Sequence, residues 1–136
     1  MKPHKKDKLK LKPTLKEKRH YIIIELISKE KLNNQDVKNK IESAIRNFIG
    51  SLGLASAGPL FVKIEEMQCK CNNLKNNLPT FKENNNLPLN KYIVTLSILT
   101  KYVDYVKASL TLFKDKDVSM RCIGVSGTIK KSERFI

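Results

Sequence analysis

Apolar residues fall along this chain in two rhythms. Residues 21–28 concentrate Tyr21, Ile22, Ile23, Ile24, Leu26 and Ile27 around a single charge, Glu25. The β-branched content predicts a strand. Strand alternation puts Ile22, Ile24 and Leu26 on one face and Tyr21, Ile23, Glu25 and Ile27 on the other. Both faces are largely apolar, so the strand should be central and at least partly covered on each side. Residues 60–65 also alternate, which places Leu60, Val62 and Ile64 inward. A third strand over 91–98 aligns Tyr92, Val94, Leu96 and Ile98, and a fourth spans 118–125.

Between these runs the period lengthens. Val37, Ile41, Ala44, Ile45, Phe48 and Leu52 recur at helical spacing behind the capping residues Asn33 to Asp36. This helix is expected to end near Gly50 or Gly53. Val103, Val106, Leu110 and Phe113 form a second stripe, with Thr100 as the expected cap. A short helix carrying Ile129 and Phe135 is expected at the end. The order is β-α-β-β-α-β, in which two helices cover one face of a four-stranded antiparallel sheet. The predicted class is therefore α+β, a ferredoxin-like (RRM-like) sandwich with a terminal helix or tails. The organisation follows: a basic arm over 1–20, the α/β domain over 21–125, and a basic segment over 126–136. Within the domain, residues 72–90 are rich in Asn and hold Pro79 and Pro88, which suits a loop or inserted excursion.

Charge adds what periodicity cannot. The 136 residues carry 27 Lys and Arg against 13 Asp and Glu, a formal net of +14. Half of that excess lies in residues 1–20, where nine cations face only Asp7 and Glu17. A second concentration is Arg121, Lys130, Lys131 and Arg134. Such ends suit a polyanion, the alternative being solvated tails. The candidate RNA contacts are Lys5, Lys6, Lys8, Lys10, Lys12, Lys16, Lys18, Arg19, His20, Arg121, Lys130 and Lys131. Ser126 and Thr128 are added as hydroxyl donors to phosphate, and Gly127, with Gly124, as a point of close backbone approach.

Other chemistries find little support. Only His4 and His20 are imidazoles, and no nucleophile, base and orienting group converge. Glu25 is the one buried-carboxylate candidate, and a neighbouring Lys or Arg is its expected partner. Cys69, Cys71 and Cys122 do not make a zinc pattern. Their odd number, without a secretory signal, points to reduced thiols in the cytoplasm. The glycines of 50–58 follow a helix and precede a strand, the reverse of a phosphate-cradling loop. No apolar run approaches the roughly 20 residues of a membrane span. The third strand lacks the glycine and phenylalanines of the RRM signature, so no base stacking on the sheet is expected. Its far face, with Ile23, Ile27, Phe61, Ile93 and Ile123, should be covered by a further helix or by a protein partner.

Three segments resemble ribonuclease P protein component 2, the archaeal relative of a small eukaryotic ribonuclease P and MRP subunit. They are the Leu-Lys-Glu-Lys-Arg-His-Tyr-Ile-Ile-Ile-Glu-Leu-Ile-Ser run of 15–28, the helix of 102–113, and Gly-Val-Ser-Gly-Thr-Ile-Lys-Lys of 124–131. The last is the most specific, and the likeness spans most of 14–132 apart from 72–90. The resemblance implies an RNA-binding, non-catalytic subunit of an RNA-based endoribonuclease that removes the 5′ leader from precursor tRNA. It implies a protein that binds and stabilises the catalytic domain of the ribonuclease P RNA, with Mg²⁺ on that RNA and no cofactor on the protein. Expected partners are the RNA, precursor tRNA as holoenzyme substrate, ribonuclease P protein component 3 in a heterotetramer, and other ribonuclease P proteins. Two further readings stay open: an RNA-binding or protein-interaction scaffold of another ribonucleoprotein, and a small-ligand regulatory domain of the same fold.

Overall fold

The computed structural model describes residues 17–68 and 89–135. Its elements run β1 (Arg19–Ser28), α1 (Asn34–Ala57), β2 (Leu60–Gln68), β3 (Asn90–Leu99), a 3-10 turn (Thr100–Tyr102), α2 (Val103–Leu112), β4 (Val118–Ser126) and α3 (Ile129–Ser132), closing with a 3-10 turn over Glu133–Phe135. The strands form one sheet in the order β2-β3-β1-β4, antiparallel at every pairing. This is the ferredoxin-like arrangement expected from the order of elements. The Asn-rich stretch lies outside the described residues except for its last two, and so do Cys69 and Cys71.

The core sits between α1 and α2 and one face of the sheet. Ile22, Ile24 and Leu26 of β1 and Tyr92, Val94, Leu96 and Ile98 of β3 all project into it, as their alternation requires. Val37, Ile41, Ala44 and Ile45 of α1 and Val106 and Leu110 of α2 close it from above. The Tyr92 hydroxyl accepts from the Leu32 N–H at 2.8 Å and donates to the Leu32 carbonyl at 3.1 Å. That double bond ties β3 to the start of α1 and satisfies a buried phenol. Asn33 is the N-cap of α1, and Asp36 accepts its backbone N–H at 3.3 Å.

Several expectations need correction, each for a local reason. α1 does not stop at Gly50 or Gly53. It kinks at Gly50, whose φ of 76° and ψ of 172° are not helical, and then continues to Ala57. Gly58 supplies the left-handed cap, its N–H bonding the Leu54 carbonyl at 3.2 Å. Beyond the kink Leu54 and Ala57 enter the core while Leu52 stays exposed at 82%; Phe48, just before it, is exposed as well. β2 carries a bulge: Phe61 pairs with Leu96 and Lys63 with Thr95, leaving Val62 as the extra residue. Phe61 therefore packs on the core, not the far face, and Leu60 and Val62 are exposed instead of inward. β4 has a second bulge at Ile123, between Cys122 opposite Ile24 and Gly124 opposite Ile23. Thr100 does not cap α2. It sits in the preceding turn, and Tyr102 is the N-cap.

The far face is not open. Ile23, Glu25, Ile27, Ile93, Thr95 and Ser97 are all buried on it. The C-terminal segment crosses part of this face, as a further helix was expected to do. Phe135 lies against Gly124, Ser132 is buried, and Glu133 is close enough to Lys63 to act on its charge.

Candidate nucleic-acid interface

The predicted contacts divide by position. Lys5, Lys6, Lys8, Lys10, Lys12 and Lys16 lie outside the described residues. Lys18, Arg19, His20, Ser126, Gly127 and Thr128 converge at one end of the sheet. Register explains why: Arg19 pairs with Leu99 and Tyr21 with Ser126, so the start of β1 meets the ends of β3 and β4. The Lys18 carbonyl accepts both the backbone N–H and the hydroxyl of Thr100, each at 3.0 Å. That hydroxyl has a single proton, so the 2.7 Å contact between His20 Nδ1 and Thr100 Oγ1 has Nδ1 as the donor. Nε2 is the ring nitrogen this network leaves for a further contact.

Within that cluster the roles differ. Arg19 is committed to the fold: Nε donates to Ser97 Oγ at 2.9 Å, and Nη2 donates to the Ser97 carbonyl at 3.1 Å and to the Gly58 carbonyl. It clamps the end of α1 to β3. Ser126 is buried, and its hydroxyl donates to the Thr128 carbonyl at 2.8 Å while accepting the Thr128 N–H at 3.3 Å. It builds the turn into α3 and presents nothing to the surface. Thr128 is exposed and caps α3 by accepting the Lys131 N–H at 3.3 Å. Gly127 faces open space, and Lys130 and Lys131 are exposed on the turn that follows.

Arg121 stands apart, several residues back along β4 on the far face and opposite Glu25. Glu25 is 1% exposed and has the cationic partners anticipated for it. Arg121 donates through Nε to Oε2, and Lys91 places Nζ 2.8 Å from Oε1. Burial opposes ionisation of Glu25, but the bonds and charges of Lys91 and Arg121 outweigh it and hold the carboxyl below its ordinary pKa. Lys91 was not among the sequence-derived contacts. Its only signal was a cation at the start of a strand, and Glu25 lies 66 positions away in the chain. Lys107, exposed on α2 beside β4, was likewise missed. Cys122 is half-buried, and burial pushes its thiol pKa up, which suits packing more than reactivity. Among the described residues, no helix is long and apolar enough to cross a membrane, and no group of three or more His, Cys, Asp and Glu side chains could hold a metal ion.

The family model of the Rpp14/Pop5 family matches residues 20–136, which take in the sheet from the second residue of β1 onward and His20, Ser126, Gly127 and Thr128 of the cluster just described. This chain belongs to the Rpp14/Pop5 family. Its relatives include ribonuclease P protein component 2 of Methanocaldococcus jannaschii, 33% identical over 130 residues that cover 90% of this chain and 75% of the relative. The protein of the same name from Pyrococcus abyssi is 33% identical over 127 residues, covering 91% and 88%. That from Methanobrevibacter smithii is 29% identical over 129 residues, covering 93% and 94%. Each of these alignments thus covers nine-tenths or more of this Rpp14/Pop5 chain.

Proposed function

We propose that this chain is a protein subunit of ribonuclease P. In this reading it binds the RNA subunit and stabilises its catalytic domain for removal of the 5′ leader from precursor tRNA. Family membership over residues 20–136, with the relatives described above bearing the name ribonuclease P protein component 2, carries the proposal. The structure supports it by gathering cations at one end of the sheet. Lys18, His20, Gly127, Thr128, Lys130 and Lys131 form the proposed surface, and the basic residues of 1–16 would extend it. Their role is to lower repulsion between phosphates that the folded RNA brings close together. Arg19 and Ser126 serve the reading indirectly by shaping that end. The hydrolytic metal ions would belong to the RNA.

The protein partner in this reading is ribonuclease P protein component 3, paired in a heterotetramer. Part of the far face is already covered by the chain's own C-terminal segment, so it offers less for a partner than the sequence suggested. The exposed apolar side chains Phe48, Leu52, Tyr105 and Leu112 on the helices are the better candidates for that contact.

Reconstitution tests the proposal. The full chain, mixed with ribonuclease P RNA and the other ribonuclease P proteins, should raise the rate of precursor tRNA cleavage, and its RNA affinity should fall steeply with salt. Replacing Lys130 and Lys131 together by Ala should flatten the salt dependence by about two counterions. An unchanged slope and cleavage rate would remove those two from the interface. A chain that leaves cleavage unaffected in every reconstitution is not a ribonuclease P subunit.

A further inference from the structure

The feature that this reading leaves unexplained is a buried carboxylate on the far face that anchors an exposed arginine. Ionised Glu25 tolerates its burial because each oxygen has its own cation, Lys91 from β3 and Arg121 from β4. The two cations are used differently. The Lys91 side chain is largely covered, whereas that of Arg121 stays 61% exposed although held by a salt bridge. The grip is on Nε. Among the described residues the two Nη groups have no partner, so the outer edge of the guanidinium faces solvent with its donors free. A guanidinium fixed at one edge offers the other as a bidentate donor pair for phosphate. The anchor also removes rotamer freedom that a loose arginine loses only on binding. Lys91 completes the device. It neutralises Glu25, so the triad keeps a net charge of +1 centred on the exposed member.

The surroundings favour an anion. β4 is an edge strand, and a shallow groove of about 490 Å³ runs along it. Lys107, Thr111, Arg121 and residues 122–125 line it: two cations and, among the described residues, no carboxylate. The bulge at Ile123 breaks the regular pairing of β4 with β1 beside Arg121.

We propose that Arg121 is a preorganised phosphate contact for an RNA strand lying along the β4 edge, with Glu25 as its positioning residue and Lys107 as the second cation of the groove. The inference rests on the ribonuclease P reading. It adds a contact built on the rigid sheet, away from the basic end.

Charge arithmetic supplies the test. The full chain is titrated against a ribonuclease P RNA transcript over a salt series. Arg121→Ala should bind about tenfold more weakly and lower the salt slope by about one. Arg121→Lys should lose nearly as much, because one ammonium cannot grip Glu25 and present a second donor edge. Glu25→Gln raises the net charge by one, so bulk electrostatics alone would tighten binding. Positioning predicts the opposite, a loss of about threefold to tenfold. Glu25→Gln combined with Arg121→Ala should be no weaker than Arg121→Ala alone. Tighter binding by a folded Glu25→Gln overturns the positioning role. A wild type that binds RNA, with Arg121→Ala and Arg121→Lys unchanged, overturns the phosphate contact and leaves the subunit reading standing. So does a variant that loses an acidic protein partner but keeps its RNA affinity. A wild type without salt-dependent RNA binding defeats the subunit reading itself. If thermal melts show Glu25→Gln to be unfolded, Arg121→Lys decides, since it leaves every buried residue in place.

Discussion

Phe135 lies so close over Gly124 that a β-carbon at position 124 would meet three of its ring carbons at 2.6 to 2.8 Å. The contact docks the last described residues onto the far face, beside the β4 bulge. Gly124→Ala should therefore push the ring and its 3-10 turn off the sheet. Phe135 is itself partly exposed, so the cost should be modest, about 1 kcal/mol, near the lower end of overpacking effects. Hydrogen exchange should rise in residues 129–135 while the protection of β1 and β3 is unchanged.

Gly50 makes a prediction of unexpected sign. Helix propensity alone says that Gly→Ala inside a helix stabilises by roughly 0.5–1 kcal/mol. At Gly50 the backbone is in a region that only glycine visits freely, although nothing would obstruct a β-carbon. Gly50→Ala should instead destabilise by about 1–3 kcal/mol, read from a denaturant midpoint. Straightening α1 to relieve the strain would draw Leu54 and Ala57 out of the core.

Arg19 separates folding from binding. Its guanidinium joins β1, β3 and the cap of α1 through three hydrogen bonds. Arg19→Ala should cost about 1–3 kcal/mol of stability. Arg19→Lys should restore little of this, since an ammonium lacks the planar fork. At temperatures where both variants are folded, RNA affinity should fall by no more than one lost charge explains. A salt titration alongside a thermal melt distinguishes the two effects.

The buried carboxylate gives stability a pH dependence. The folded pKa of Glu25 lies below its unfolded value, so its contribution is fully present above the ordinary glutamate pKa, roughly 4.3. It is lost as pH falls further, through the folded value. Asp115 shifts the same way, through the Asp117 N–H and Lys40, and adds to the slope. Unfolding free energy should thus decline below about pH 4.3 in the wild type, and less steeply in Glu25→Gln. Chemical denaturation at pH 3.5 and pH 6 would show the difference.

Hydrophobic pattern alone carries the central strands, the inner halves of both helices and the order of elements. In β1 and β3 strict alternation holds, so Ile22, Ile24, Leu26, Tyr92, Val94, Leu96 and Ile98 could be assigned to the core residue by residue. The same rule misassigned Leu60, Phe61 and Val62, because one extra residue in a bulge shifts the facing of its neighbours and leaves no mark in composition. The Gly50 kink hid Leu54 and Ala57 in a similar way.

The location of charge in the sequence, and the identity of the closing Gly-Val-Ser-Gly-Thr-Ile-Lys-Lys segment, were enough to point to an RNA partner and a family. Which cations are tied up within the fold is visible only in three dimensions. Arg19 and Arg121 are the same residue type in two β-strands, and nothing nearby in the chain distinguishes them. Arg19 meets Gly58 and Ser97, 39 and 78 residues away, and spends its donors on them. Arg121 meets Glu25 through one edge and keeps the other. A side chain's availability depends on partners brought to it by strand pairing, and that pairing joins segments far apart in the chain.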